Sequence, residues 1–398
     1  ASLERFREVA SESKSDALES GFDPLASGQT IYQTEVASRF DEVAALLNTE
    51  VNGRYLFGGR EIENNPVLPA AEILDGGNGR AGFRQIVSER RAADLGADGR
   101  GRLVPDGPHA TVLGGVVATP GDIGGVAQAR VTVDIGGNAQ TFDISDGNID
   151  TLADLETAID VAFGADVATI VGGNQLRIEA TDPTESITIT DVDAGAAALA
   201  GLTAGVTTNP TATANLAEDS ATSPFGFKLA GVTSTLSGTN VTGPAGSPSS
   251  LDVTFTGTLP SDGESITVTL DLPDGTQHDL TLTARSSGPL ASGEFLIGAD
   301  ENETAANFQA ALTTGVEAAA QQALSAASLF EAADNFFDFD EANPPQRVDG
   351  PPFDTATALI DATATDTVFW YQGEVSSTSA RQSSVVKVDD SISVAAGA

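Results

Sequence analysis

Leu46-Leu47-Asn48-Thr49-Glu50-Val51-Asn52-Gly53-Arg54-Tyr55-Leu56-Phe57-Gly58-Gly59 is the stretch whose reading decides the fold. Ahead of it and into it, Ile31, Val36, Phe40, Val43, Leu47 and Val51 recur mostly at three- and four-residue steps. One apolar stripe of that period predicts a helix from near Ser27 to about Asn52. At the rise of an α-helix it spans about 40 Å, a rod rather than a globular-domain helix. Gly53 ends it, and residues 54–59 predict a short strand. Upstream, Leu3, Phe6, Val9 and Ala10 mark an amphipathic helix over 1–20, closed by Gly21 and Pro24.

Beyond the turn, 60–102 predicts strands and turns, with a loop at Asp75-Gly76-Gly77-Asn78-Gly79 and an extended run over 83–87; a helix over 85–95 is the alternative. From Leu103 the pattern becomes short alternating runs broken by Gly, Pro, Asp and Asn. A hairpin is expected over 130–144 across Gly136-Gly137-Asn138, then a helix over 151–163 and strands over 167–171 and 175–180. Strands over 251–256, 265–270 and 279–284 precede a helical run over 303–337. The two helix starts align, and Thr151 and Thr304 both suit an N-cap, where a hydroxyl accepts from free first-turn amides. Two stretches, 203–224 and 343–352, have linker composition. A short helix over 353–362, an aromatic strand at Val368-Phe369-Trp370-Tyr371 and a hairpin over 383–394 complete the chain.

Composition narrows function. The net charge of −38 offers neither a basic stripe nor counterion release, so nucleic acid and anionic membrane are excluded as partners. Residues 1–102 hold 17 acids against 12 bases, and 103–350 hold 34 against 5; the acidity therefore sits in the middle, and the two ends resemble each other. There is no cysteine, which removes disulfides, thiolate metal sites and cysteine nucleophiles. Neither a cleavable signal peptide nor an apolar run of membrane-spanning length is visible. With no methionine, even at position 1, and an opening inside a helical pattern, the sequence reads as a piece whose natural start is removed.

The chemical motifs are sparse. Gly77-Asn78-Gly79-Arg80-Ala81-Gly82 matches G-x-G-x-x-G, but a dinucleotide site needs a strand before it and an acid beyond it, and only Glu72-Ile73-Leu74 and Asp98 offer themselves. Asp191-Val192-Asp193 and Asp338-Phe339-Asp340-Glu341 do not continue into a calcium loop. His109 and His278 cannot supply a three-histidine zinc site and are expected at the surface. No G-x-S-x-G elbow occurs. Phe369-Trp370-Tyr371 could stack on a sugar but better suits a core anchor. The basic run Arg80, Arg84, Arg90, Arg91, Arg100 and Arg102 is expected to be a solvated face, with ion pairing between subunits as the alternative. The expectation is therefore no enzyme, no cofactor and no metal site.

Asn52-Gly53-Arg54-Tyr55-Leu56-Phe57-Gly58-Gly59 after a leucine-rich helix resembles the flagellin and hook-associated protein 3 family, in which such a helix runs into an N-x-x-Y-L-F-[AG]-G turn and then a β-hairpin. Arg84-Gln85-Ile86 resembles the following hairpin strand. Val388-Asp389-Asp390-Ser391-Ile392-Ser393-Val394, followed by Gly397-Ala398, resembles the return strand leading to a carboxy-terminal helix. Residues 131–181, with the helix start Thr151-Leu152-Ala153-Asp154-Leu155, are similar to the family's insert motif. The resemblance covers 25–100, 365–398 and 129–181.

It implies an α+β protein: a long-helix and β-hairpin flagellin-like core (1–102 with 351–398) carrying a large β-rich α+β insert of one or two subdomains (103–204 and 205–350). The implied role is a structural subunit of the bacterial flagellum, exported without a cleaved signal peptide. The hook–filament junction is favoured over filament flagellin, because Trp370-Tyr371 suits it and flagellins are often poor in tryptophan. Implied partners are hook-associated proteins, flagellin and further copies of the chain, with no nucleic acid and no membrane. The terminal polymerisation helices are expected to lie outside this sequence, leaving it monomeric. A surface adhesin with a ligand-binding β-rich insert is the alternative from another class.

Overall fold

The computed structural model describes residues 2–19, 31–51, 53–59, 61, 63–124, 128–145, 147–340, 342–375, 385–389 and 392–395. It is α+β, with several antiparallel sheets. By contacts the chain forms two compact units. One comprises Ala1–Ala97, Ser223–Phe225 and Leu324–Ala398, the other Asp98–Thr222 and Gly226–Ala323. Contacts thus divide the chain at 97/98 and 323/324, where composition divides it at 102/103 and 350/351.

In the unit holding both chain ends, the helices Ser2–Glu19 and Ile31–Leu47 come first. The second is shorter than its stripe predicted. It stops at Leu47, and Val51 lies instead in the two-residue strand Glu50–Val51, paired with Arg54–Tyr55. Gly53, at φ 74°, supplies the left-handed conformation this tight turn needs. Ile31's side chain lies outside the described residues; Phe40 and Leu47 pack on the core and Val36 is exposed.

Residues 60–102 depart most from expectation. Glu72-Ile73-Leu74 belongs to the helix Ala70–Asp75, and 83–87 is not extended: the alternative, a helix over 85–95, is the one present, beginning two residues earlier as Phe83–Leu95. Arg84-Gln85-Ile86 is therefore helical and not a hairpin strand. Ile86, Glu89, Arg90, Ala93 and Asp94 form the buried face, a helical spacing that buried charges hide from any apolar count. The helix Ser325–Phe337 packs beside it. Phe83 lies 5.5 Å from Phe336 and 5.1 Å from Phe337, with Phe40 6.2 Å and Trp370 5.8 Å from Phe337. Each such pair adds about 0.5–1.5 kcal/mol beyond the area it buries. Residues 353–362 are not a helix; Leu359–Asp361 pairs as a strand with Gln346–Val348. Residues 368–371 are not a strand; Tyr371 makes a single bridge to Val67, and Thr367 just before them makes one to Ala81. The closing hairpin is present as Val385–Asp389 with Ile392–Ala395.

In the other unit, the four-stranded antiparallel sheet runs Val206–Thr208, Ile187–Asp191, Arg130–Ile135, Asn138–Asp143. The hairpin closes across Gly136 and Gly137, both at positive φ. Thr151 caps the helix Leu152–Phe163 in a full capping box with Asp154. The helix buries Leu152, Leu155 and Ile159 in a core with Val131, Val133, Leu176, Ile178, Ile187 and Ile189. The three strands Thr111–Leu113, Gln175–Glu179 and Ala168–Val171 border the same core.

The unit's remaining strands form two further sheets. One is ordered Thr239–Gly246, Ser249–Phe255, Thr213–Glu218, Leu103–Asp106. The linker-like stretch 203–224 thus contains a central strand, which buries Ala214, Leu216 and Glu218. The other is ordered Lys228–Ser234, Ser265–Asp271, Gln277–Arg285, Glu294–Leu296. Phe255, Phe295 and Phe308 meet edge to face at 5.3–6.4 Å. The helical run starts at Glu301, not 303, and Asp300 is its N-cap. Thr304 is not a cap; it is fully buried, donating to the Asp300 carbonyl and accepting from Gly298 N–H. A π-helical turn, Ala320–Leu324, follows the helix Glu301–Ala319 and precedes Ser325–Phe337.

Candidate functional site

Two places gather polar or strained groups. The first is the Tyr55-Leu56-Phe57-Gly58-Gly59 turn. Asn48, at the end of the helix Ile31–Leu47, pairs its side-chain amide with the backbone of Val67: Nδ2 donates to the carbonyl at 2.8 Å, and the N–H donates back to Oδ1 at 3.0 Å. Val67 bridges Tyr371, and Leu68 N–H and Gln372 N–H bind the carbonyls of Trp370 and Pro66 at 3.0 and 2.7 Å. Glu374 N–H reaches the Gly58 carbonyl at 3.1 Å, and Tyr371 Oη donates to the Phe57 carbonyl at 2.9 Å.

The approach is close enough to require glycine. A Cβ on Gly59, at φ 65°, would lie 2.7 Å from Glu374 Cβ, and one on Gly373 would lie 3.0 Å from Gly58 Cα. Trp370 Nε1 donates to the Phe337 carbonyl at 3.1 Å, so the aromatic cluster anchors a core. Leu56 points outward, 54% exposed. Asn52 lies outside the described residues, and Arg54 is exposed.

The second place is a cleft of about 370 Å³ bordered by Asp106, His109, Asp166, Thr169, Arg177, Glu179 and Thr181. Asp106 ends the strand Leu103–Asp106. Glu179 ends Gln175–Glu179, in register with Thr111. His109 is therefore not a free surface residue. Its side chain is 16% exposed, in contact through Nε2 with Glu179 Oε1 and 3.5 Å from Asp106 Oδ1. Arg177 holds Glu179 Oε2 at 2.7 Å.

The hydrogen bond to Glu179 raises the His109 pKa against the opposing effect of burial, with the Asp106 charge adding to it. For Glu179, burial pushes upward most strongly, but His109, Arg177 and Thr111 together hold the pKa below the ordinary carboxylate value. The carboxylate thus stays ionised and does not suit a proton-donating acid. His278 stands apart, on Gln277–Arg285 opposite Leu270.

The remaining motifs are structural. Gly77 and Arg80 close a tight turn over Asn78 and Gly79, both at positive φ, and a helix, not a strand, precedes it; a dinucleotide cradle is not built. Asp191 caps Gly195 and Ala197 N–H, Asp193 accepts three hydrogen bonds from Arg130, two from its guanidinium and one from its N–H, and Asp340 caps Ala342 and Asn343. The basic run is a solvated face only in part: Arg84 and Arg91 are exposed, while Arg90 and Arg102 are buried. Arg80 pairs with Glu72, Arg84 with Asp75, Arg100 with Glu317 and Arg102 with Asp219. Arg90 is buried, 2.8 Å from Asp94, with its guanidinium 5.4 Å from the Phe225 ring centroid. Among the described residues no helix is long and apolar enough to cross a membrane.

No protein-family model and no curated protein matches the chain. Among solved structures it is similar to the crystal structure of the flagellar cap protein FliD D1-D2-D3 domains from Escherichia coli. The identity is 14%, the TM-score 0.19, and the match covers 34% of this chain and 53% of that one. The chain thus spans about half of that structure's length, and a superposition at this score establishes no shared fold.

Proposed function

We propose that this chain is a structural subunit of the bacterial flagellum, and within that class the hook–filament junction protein. The observation that carries the reading is the closure of the Tyr55-Leu56-Phe57-Gly58-Gly59 turn by Tyr371, Gly373 and Glu374. This is the motif whose sequence resembles the flagellin and hook-associated protein 3 family, and it ties the end of the helix Ile31–Leu47 to a segment near the other end of the chain. A helix fixed in this way transmits load along its axis instead of fraying at its end.

The same unit leaves apolar side chains exposed: Val36 on that helix, Val51 and Leu56 at the turn, and Leu329 and Phe330 on Ser325–Phe337. Such side chains suit packing against neighbouring flagellar subunits. The role is mechanical and not enzymatic, and the net charge of −38 keeps subunits apart before assembly. The Trp370–Tyr371 anchor favours the junction over the filament.

Deleting the gene tests this. The expected phenotype is cells with hooks but no filaments, shedding flagellin monomers into the medium. Mutant cells with normal filaments and normal swimming would refute the proposal.

A further inference from the structure

We propose that Asp106, His109 and Glu179 bind a divalent transition-metal ion of the zinc type, which pins the turn after Leu103–Asp106 to the strand Gln175–Glu179. This goes beyond the flagellar reading and does not depend on it.

The three side chains are the one group of metal-capable ligands found together among the described residues, each offering an atom within 4.8 Å of the others. Zinc bonds to nitrogen and carboxylate oxygen measure about 2.0–2.2 Å, so ligand atoms around one ion stand about 3–4 Å apart. His109 Nε2 and Asp106 Oδ1, at 3.5 Å, already satisfy that, whereas Nε2 and Glu179 Oε1 are in direct contact and part when an ion enters between them. Asp106, 48% exposed, has room to swing the remaining distance.

An imidazole beside two carboxylates selects zinc, nickel, cobalt or copper over magnesium and calcium, which take oxygen. The outer partners of such a site are present as well. Arg177 holds Glu179 at 2.7 Å, and Gly107 N–H donates to Asp106 Oδ1 at 2.9 Å. Three protein ligands leave a fourth position, and the cleft of about 370 Å³ has space there for water. Two carboxylates and a neutral imidazole offset a 2+ ion; Arg177, paired with Glu179, adds a positive charge, and Asp166 at the edge of the cleft faces it with a negative one. The absence of cysteine and the presence of one other histidine keep competing soft sites few.

The test uses the whole chain, stripped with chelator, in thermal melts with zinc chloride, magnesium chloride as control and cobalt(II) as a spectroscopic probe. The expected result is a dose-dependent rise in Tm with zinc and none with magnesium, and visible cobalt bands that zinc displaces. Asp106→Asn should weaken zinc binding at least tenfold and His109→Gln should abolish it, while His278→Gln leaves it unchanged. Should His109→Gln fail to fold, Asp106→Asn decides, since that side chain is half exposed. No rise with zinc, an equal rise with magnesium, or undiminished binding in Asp106→Asn overturns the proposal and leaves His109 and Glu179 as an internal ion pair.

Discussion

The phenol of Tyr371 donates to the carbonyl of Phe57 at 2.9 Å, joining positions 314 residues apart. A half-buried hydroxyl with one partner gives a clean test. Tyr371→Phe should cost about 1 kcal/mol in chemical denaturation, the net worth of one such hydrogen bond. Tyr371→Ala should cost about 3–5 kcal/mol, because the ring's packing goes too.

The same residue makes an alkaline prediction. Burial, and secondarily the Glu374 charge, raise its pKa above the ordinary 10.0. A folded-state pKa above the unfolded one gives a contribution that is complete below pH 10 and lost as pH rises through the folded value. The stability gap between wild type and Tyr371→Phe should therefore shrink as melts are taken from pH 9 to pH 11. A gap that widens would contradict the hydrogen bond.

Gly53 and Gly59 separate backbone strain from crowding. Both have positive φ, yet nothing lies within 4 Å of a Cβ at Gly53, while one at Gly59 would meet Glu374 Cβ at 2.7 Å. Alanine should cost about 1–2 kcal/mol at either through the left-handed backbone, and a further 1–3 kcal/mol or so at Gly59 through overpacking. Equal losses in urea titrations would mean that the return segment does not lie on the turn.

Glu89 and Arg347 form an ion pair, their side chains 3% and 18% exposed. Glu89→Ala strands a largely buried guanidinium and should cost about 3–5 kcal/mol, with little relief from salt. The pair of Arg5 with Glu42 is 41% and 37% exposed, so Glu42→Ala should change stability little, and any effect should fade at high ionic strength.

Thr151→Ala removes the N-cap of Leu152–Phe163 and should cost about 1 kcal/mol. Amide hydrogen exchange should quicken first in the opening turn of that helix. Thr304→Ala tests a different role, since Thr304 bridges Gly298 and Asp300 from a buried position.

Some of this was legible in the sequence. The Thr151 cap and the hairpin across Gly136-Gly137 announce themselves because cap and turn chemistry is local. The helix Phe83–Leu95 is legible only as the alternative over 85–95, since its inward face mixes Ile86 and Ala93 with Glu89, Arg90 and Asp94, whose partners come from elsewhere in the chain or a turn away. Thr213–Glu218 looks like a linker because it lies in a Thr/Ala/Pro-rich run and buries one large apolar side chain, Leu216; its neighbours Ser249–Phe255 and Leu103–Asp106 make it a central strand. At the cleft, Asp106 and His109 sit three apart in an Asp-Gly-Pro-His turn, a faint signal. Glu179 is brought to them by strand pairing with Thr111, and no spacing rule reaches that far.

The central claim, a subunit at the joint between hook and filament, is tested most directly by location. Purified flagella labelled with gold-conjugated antibody against this chain should show particles confined to a narrow band at the hook–filament joint in electron micrographs. Labelling along the whole filament would instead assign the chain to the filament, and flagella that carry no label would contradict the account.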